Sequence, residues 1–413
     1  MLRFSCLLLL LSLFMNCKKV PSELSTNEDQ TPFPQDTCVA STVLWKTILT
    51  PDTSDFFTDK PVLYKDQVLF TVWRDFDQSE KLFMLDAATG EIKWEWSDYI
   101  YHPSLYSSTG QHIIRDNIYY FTTQYEVYAI DLDLGATKWV YTVPEGTGEV
   151  YLTLHEDWLF HGHVKKYPAN THSHLVVAPL PAQRPQWDTL YSTYIQDGYS
   201  PYMGPPVVWE NPDQEQVLLF KESHYNFSNH NSYSGITAFN MNQKEVSWKI
   251  DSFDISTTVE LIITKGNLAF FEGYRSVFCV DLLTGTIRWQ QEFPRPQTLA
   301  SSNIMVLDDR VIVNTDTDDM YALSIESGYT IWRSRDSGST CWDLNELNGQ
   351  LYYTCLGERF IQVVDPYTGE HLPKACSPFR APTSISDLTI HPEKGVAYTV
   401  DGFAAVAISL KEE

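Results

Sequence analysis

Residues 127–139 read VYAIDLDLGATKW, and three other stretches say nearly the same thing: 82–94 (LFMLDAATGEIKW), 277–289 (VFCVDLLTGTIRW) and 320–332 (MYALSIESGYTIW). A looser copy at 236–248 (ITAFNMNQKEVSW) lacks the glycine, and another at 361–373 (IQVVDPYTGEHLP) keeps the glycine but lacks the tryptophan. Each copy has a physical reading. An alternating apolar run such as Val127 and Ala129 predicts a half-buried strand. Asp86, Asp131, Asp281 and Asp365 follow, where a short side chain bonds the backbone of a turn. Four residues later come Gly90, Gly135, Gly285, Gly328 and Gly369, at the place for a residue with positive φ. The tryptophan lies four residues beyond the glycine, on the next strand, where its ring buries a large apolar area between neighbouring sheets. A β-sandwich with scattered tryptophans does not explain so regular a spacing.

Trp45, Trp94, Trp139, Trp187, Trp248, Trp289 and Trp332 recur at intervals of 41 to 61 residues, a period that suits a four-stranded propeller blade. Residues 174–187 (HLVVAPLPAQRPQW) are a degenerate copy with prolines at the turn. The last copy, 405–410 (AVAISL), stops before any glycine or tryptophan, whereas Trp45 has no phrase before it. The two halves complete each other. The expected fold is all-β: an eight-bladed β-propeller of four-stranded blades, closed by pairing of the N- and C-terminal strands.

The pattern Ala-x-Asp-x-x-x-Gly-x-x-x-Trp resembles the tryptophan-docking motif of the PQQ-like β-propeller repeat. Ala129, Asp131, Gly135 and Trp139 match in full. Asp281, Gly285 and Trp289 match with Cys279 at the alanine place, and Ala322, Gly328 and Trp332 match with Ser324 at the aspartate place. The resemblance implies that each ring stacks on backbone beside a glycine and ties adjacent blades, with Trp45, Gly90 and Trp94 in the same role. It is a packing device and carries fold rather than function.

The ends and the composition narrow the setting. Residues 1–16 have one basic residue and then a run of leucines, too short for a membrane span and shaped like a signal peptide. Leu13-Phe14-Met15-Asn16-Cys17 follows and resembles a loose lipobox, which would leave Cys17 lipidated; the alternative is a plain secretory signal. Residues 17–40 are polar, contain three prolines and read as a flexible tether, with the propeller over 41–413. A formal charge of −24 argues against nucleic acid, which demands a basic face, and against lying flat on anionic lipid. Seven cysteines leave five if Cys6 is removed and Cys17 acylated. Cys341 and Cys355 flank a three-residue hairpin loop, Leu347-Asn348-Gly349, whose register sets them opposite each other as a candidate disulfide; a two-residue Asn-Gly loop would place them on opposite faces.

Quinoprotein alcohol dehydrogenases share the fold that the resemblance implies. They are longer and commonly carry two adjacent cysteines over the quinone, and this chain has no Cys-Cys and no Cys-x-x-Cys-His. No hydrolase, zinc-protease or P-loop motif occurs either. The expectation is therefore no catalytic residues and no cofactor.

Three clusters stand out as candidate sites. His161, His163, His172 and His174 form two i, i+2 pairs on one expected hairpin, pairing either 161 with 174 or 163 with 174. They are weak candidates for zinc or copper, with no carboxylate or thiolate between them, and a polar edge hairpin explains them as well. Residues 315–319 (TDTDD) offer carboxylates for calcium but lack the glycine and closing glutamate of an EF-hand loop, and a tight turn explains them. Residues 191–234 read as an insertion rich in rings with polar tips, a chemistry enriched at recognition surfaces. Tyr199, Tyr202, His224, Tyr225 and Tyr233 are its binding candidates.

The chain also resembles, in anchor and fold together, the propeller lipoprotein of the outer-membrane β-barrel assembly machinery. That resemblance implies a lipid-anchored, non-enzymatic interaction scaffold with an envelope protein partner, held at the membrane by its N-terminal lipid and placed at the periplasmic face of the outer membrane. The alternatives are a small-molecule or glycan binder that uses the channel mouth and residues 191–234, and a divergent quinone-dependent dehydrogenase.

Overall fold

The computed structural model describes residues 39–410 apart from short stretches, the longest being 99–112, 254–261 and 377–387. Residues 1–38, Cys341 and Tyr199 lie outside the described residues, and so do the expectations that rest on them. Every regular element among the described residues is a strand, and the strands form eight sheets. In chain order these blades span 56–96, 113–142, 147–194, 200–253, 263–292, 299–334, 345–376 and 389–409. Successive strands within a blade are termed A to D.

Closure follows the expectation. Thr42–Ile48 pairs antiparallel with Ala404–Ser409 and supplies the D strand of blade eight, setting Trp45 opposite Ala407. A second closure was not foreseen. Val39–Ala40, in the expected tether, pairs parallel with Ala375–Cys376 at the outer edge of blade seven. The N-terminal segment therefore stitches two blades, which covers an edge that would otherwise be open to a foreign strand.

The hydrophobic core is divided. Eight buried clusters are described, each shared by two adjacent blades. Blade two shows how one strand feeds two of them. Its C strand, Glu126–Asp131, sends Tyr128 and Ile130 towards blade one and Val127 and Ala129 towards blade three. All six of its residues are buried, which corrects the reading of these runs as half-buried. Alternation in this fold distributes side chains between two neighbours rather than between core and water.

The expected insertion at 191–234 is also corrected. Tyr191 belongs to the D strand of blade three, Asp188–Tyr194. Ser200–Met203 and Val207–Glu210 form the A side of blade four, and both pair with the long B strand Gln216–Tyr225. The segment looked like a loop because Pro205 and Pro206 interrupt its apolar pattern between the two pieces of the A side.

Candidate functional site

The repeat phrase builds one geometry six times. In each D strand the tryptophan faces a C-strand residue, and a register shift follows immediately. The pairs are Met84–Trp94, Ala129–Trp139, Ala238–Trp248, Cys279–Trp289, Ala322–Trp332 and Ala407–Trp45. The bulge re-aims the indole out of its own sheet. Five of the six indoles, all but Trp139, land on the C–D turn of the next blade. Trp45 Nε1 donates to the Ala87 carbonyl at 3.0 Å, Trp94 to Leu132 at 2.9 Å, Trp248 to Leu282 at 2.9 Å, Trp289 to Ile325 at 2.7 Å and Trp332 to Pro366 at 3.0 Å. A buried indole N–H thus finds an acceptor while its ring covers the turn. The turns are fixed by their first residue, as where the Asp131 carboxylate accepts from the N–H groups of Asp133 and Leu134.

The glycine has a second reason beyond its φ. A Cβ on Gly90, Gly135, Gly285, Gly328 or Gly369 would lie 2.6 Å from the ring of Trp45, Trp94, Trp248, Trp289 or Trp332 respectively. Lys244, at the glycine place of blade four, holds φ +57° with a full side chain. Blade three's tryptophan is engaged elsewhere. Trp187 packs back against His161, with ring centroids 4.3 Å apart, and against Tyr141. Tyr191 reaches blade four instead, with its ring against Phe220 and its hydroxyl donating to Glu222 Oε1 at 2.9 Å. Blade seven lacks its tryptophan for a related reason. Blade eight takes its C and D strands from distant parts of the chain, so no continuous C–D turn is there to receive a ring.

Glu222 is a buried acid that the sequence reading passed over. It is fully buried between blades three and four. Its carboxylate accepts from Tyr191, from the Thr237 hydroxyl and from Lys249 Nζ at 3.1 Å. His224 Nε2 lies 3.4 Å away, within ion-pair range but off hydrogen-bond geometry. Burial alone would raise the carboxyl; the His224 contact, Thr237 and the Lys249 charge outweigh it and hold Glu222 near a pKa of about 2. Its signal in the sequence was a lone acid in a strand that also carries Phe220 and Leu218.

The expected binding residues separate. His224 is buried and stacks on the partly buried Tyr233, with centroids 4.6 Å apart, so that pair is packing within blade four. In strand register Tyr202 faces Ser223, and Tyr225 faces Ser200 and Ser232. The histidine strands adopt the register that pairs His163 with His174 and Lys165 with His172. His161 is fully buried beside Trp187, and His174 Nδ1 lies 2.7 Å from Ser192 Oγ. Among the described residues no three acids, cysteines or histidines gather as a metal site. Residues 315–319 form a closed turn in which the Asp319 carboxylate accepts from Nε and Nη2 of Arg333, at 2.9 and 2.7 Å. Cys355 is buried and disulfide-bonded.

The face that carries the A–B turns shows a feature no motif announced. A basic residue at the end of an A strand reaches the next blade's A–B turn. Arg115 donates to the Glu156 carbonyl and to Asp157, and Lys265 to the carbonyls of Leu307 and Asp308. These clasps are exposed and contribute little individually. They do occupy cations of this face in internal bonds.

A family model described as outer membrane protein assembly factor BamB matches residues 39–158 and 232–360. No curated protein matches the chain in sequence. Several solved structures share its fold. BamB from Moraxella catarrhalis superposes with a TM-score of 0.58 at 12% identity, covering 90% of this chain and 100% of that one. A europium-containing methanol dehydrogenase gives 0.61 at 11% identity over 87% of this chain and 84% of its own. Saccharomyces cerevisiae Sqt1 gives 0.62 at 11% identity over 91% and 100%. At such identities an assembly factor and an enzyme are equally good structural matches, and the likeness establishes the fold alone.

Proposed function

The chain belongs to the PQQ-like propeller family described as outer membrane protein assembly factor BamB, and from that premise we propose that it is a non-enzymatic interaction scaffold of the bacterial envelope that serves outer-membrane protein assembly. The observation that carries this reading is the destination of the repeat's chemistry. The indoles and glycines of the phrase are used in tying blade to blade, and its aspartates in fixing the turns that receive the rings. The buried Glu222 carboxylate is likewise enclosed by its own neighbours. What such a ring offers a partner is a rigid rim of turns, and turns on rigid scaffolds commonly carry binding. Cys17 is the residue we assign to lipidation, with the propeller held on the tether that follows it.

Affinity purification of the full-length protein from detergent-solubilised membranes of its own host tests the role. Recovery of outer-membrane β-barrel assembly proteins is expected; a preparation that yields none of them overturns the assembly role. Replacing Cys17 with serine should move the protein to the soluble fraction or leave its precursor uncleaved. A Cys17→Ser protein of mature size that still needs detergent for extraction would remove the anchor.

A further inference from the structure

Blades five to seven carry a cavity of about 310 Å³ on the face of the A–B turns. Its lining includes Lys265, Leu307, Asp308, Glu346, Pro366 and Tyr367. Leu307 and Pro366 make part of the wall apolar, while Asp308 and Glu346 bring two carboxylates to it. The Asp308 side chain is 99% exposed. Lys265, the cation of the lining, is already engaged by the Leu307 carbonyl at 2.7 Å and by the carbonyl and carboxylate of Asp308.

Tyr367 adds an exposed aromatic residue to the lining of this cavity. The residue is 54% exposed, yet its turn is fixed from several sides. Arg310 donates to the carbonyls of Pro366 and Tyr367 at 3.1 and 3.0 Å and lies 4.7 Å above the Tyr367 ring. Trp332 Nε1 donates to the same Pro366 carbonyl, and Asp365 accepts from the N–H of Tyr367. An exposed aromatic on a turn held by several hydrogen bonds loses less entropy on binding, which is the character of an interface anchor. The C–D turns of the two preceding blades expose Leu283 and Tyr329. The other exposed charges of these turns, Glu326 and Glu370, are acidic, and Arg310 is held by Asp309.

We propose that this cavity receives an arginine or lysine side chain from a protein partner, with apolar residues of the same segment lying on Tyr367 and its neighbours. A long basic side chain suits both halves of the site: its methylene stem covers Leu307 and Pro366, and its charged head meets Asp308 and Glu346. Charge complementarity selects the partner. A second copy of this chain, at −24, would bring mostly like charge to the contact. The proposal rests on the scaffold reading above and refines it.

The test places a photo-crosslinking amino acid at Tyr367 in the full-length protein in its own host. Tyr274, in an exposed turn on the opposite face, and Leu134, in the C–D turn of blade two, serve as comparison positions. The expected result is an adduct at 367 whose linked peptide, identified by mass spectrometry, holds arginine or lysine beside apolar residues. Asp308→Asn with Glu346→Gln should lower its yield about tenfold without changing the melting temperature, as for loss of close charge pairing across a contact. An adduct indifferent to both substitutions overturns the proposal, and so does linkage to an acidic segment or to a second copy of the chain. Adducts at 274 or 134 with none at 367 leave the scaffold standing and remove this surface. Absence of adducts at all three positions ends both readings.

Discussion

Gly328→Ala separates the two reasons for a glycine in the repeat turn, and a second glycine in the same molecule provides the control. Gly328 has φ +71° and Gly349 has φ +76°, so alanine at either position meets the same backbone penalty, about 1–2 kcal/mol. They differ in what the new methyl group touches. At Gly349 nothing lies within 4 Å, whereas at Gly328 the Cβ would sit 2.6 Å from Trp289 Cε3. Relief of that contact requires the indole to leave its seat, with its hydrogen bond to the Ile325 carbonyl and its packing beside Phe270. The limit of that loss is deletion of the side chain, about 3–5 kcal/mol for a large buried aromatic. Gly349→Ala should therefore cost about 1–2 kcal/mol, and Gly328→Ala the same plus a large part of the tryptophan term. The assay is urea unfolding followed by far-ultraviolet circular dichroism on the two single variants, Trp289→Ala and the Trp289→Ala, Gly328→Ala double variant. In the double variant the clash is gone, and the added cost of the alanine should fall back to the backbone term. Equal costs for Gly328→Ala and Gly349→Ala would refute the docking argument and leave the repeat glycine as a matter of φ alone.

Ending the chain after Phe403 removes Ala404–Ser409, the partner of both Thr42–Ile48 and Val396–Asp401. The truncated protein should melt well below the intact one, and an unchanged melting curve would contradict closure through this blade. Glu222 has a folded pKa of about 2 against an ordinary 4.5, so its contribution is complete above about pH 4.5 and is lost as the pH falls towards 2. The shift corresponds to at most about 3 kcal/mol. Glu222→Gln should therefore flatten the stability profile between pH 5 and 2, and a profile parallel to wild type would remove that role. For the histidines of blade three the expectation is that dialysed protein holds substoichiometric zinc and copper and that a chelator leaves its melting curve unchanged. One firmly held metal per chain, lost with His163→Ala and His174→Ala, would reverse it.

The repeat phrase alone determined the class, the blade number and the closure, because each full copy carries its own strand, turn and ring within thirteen residues. The missing halves at Trp45 and at 405–410 were legible for the same reason: a repeat announces its own gaps. Tertiary structure decided where each ring goes. Trp187 obeys the spacing and fails to dock forward, while Tyr191, which no motif marked, takes the contact with blade four. Lys244 keeps a glycine's φ of +57° in a turn whose neighbouring blade packs its tryptophan, Trp187, against His161 and Tyr141. Residues 191–234 misled because aromatic, proline-broken strands and a ring-rich loop have the same composition, and only pairing with Gln216–Tyr225 distinguishes them. The cavity beside Tyr367 draws on blades five, six and seven at once. Local sequence fixes what a residue can offer, but a site assembled across blades depends on which turns the ring brings side by side, and that proximity exists only once the chain has closed.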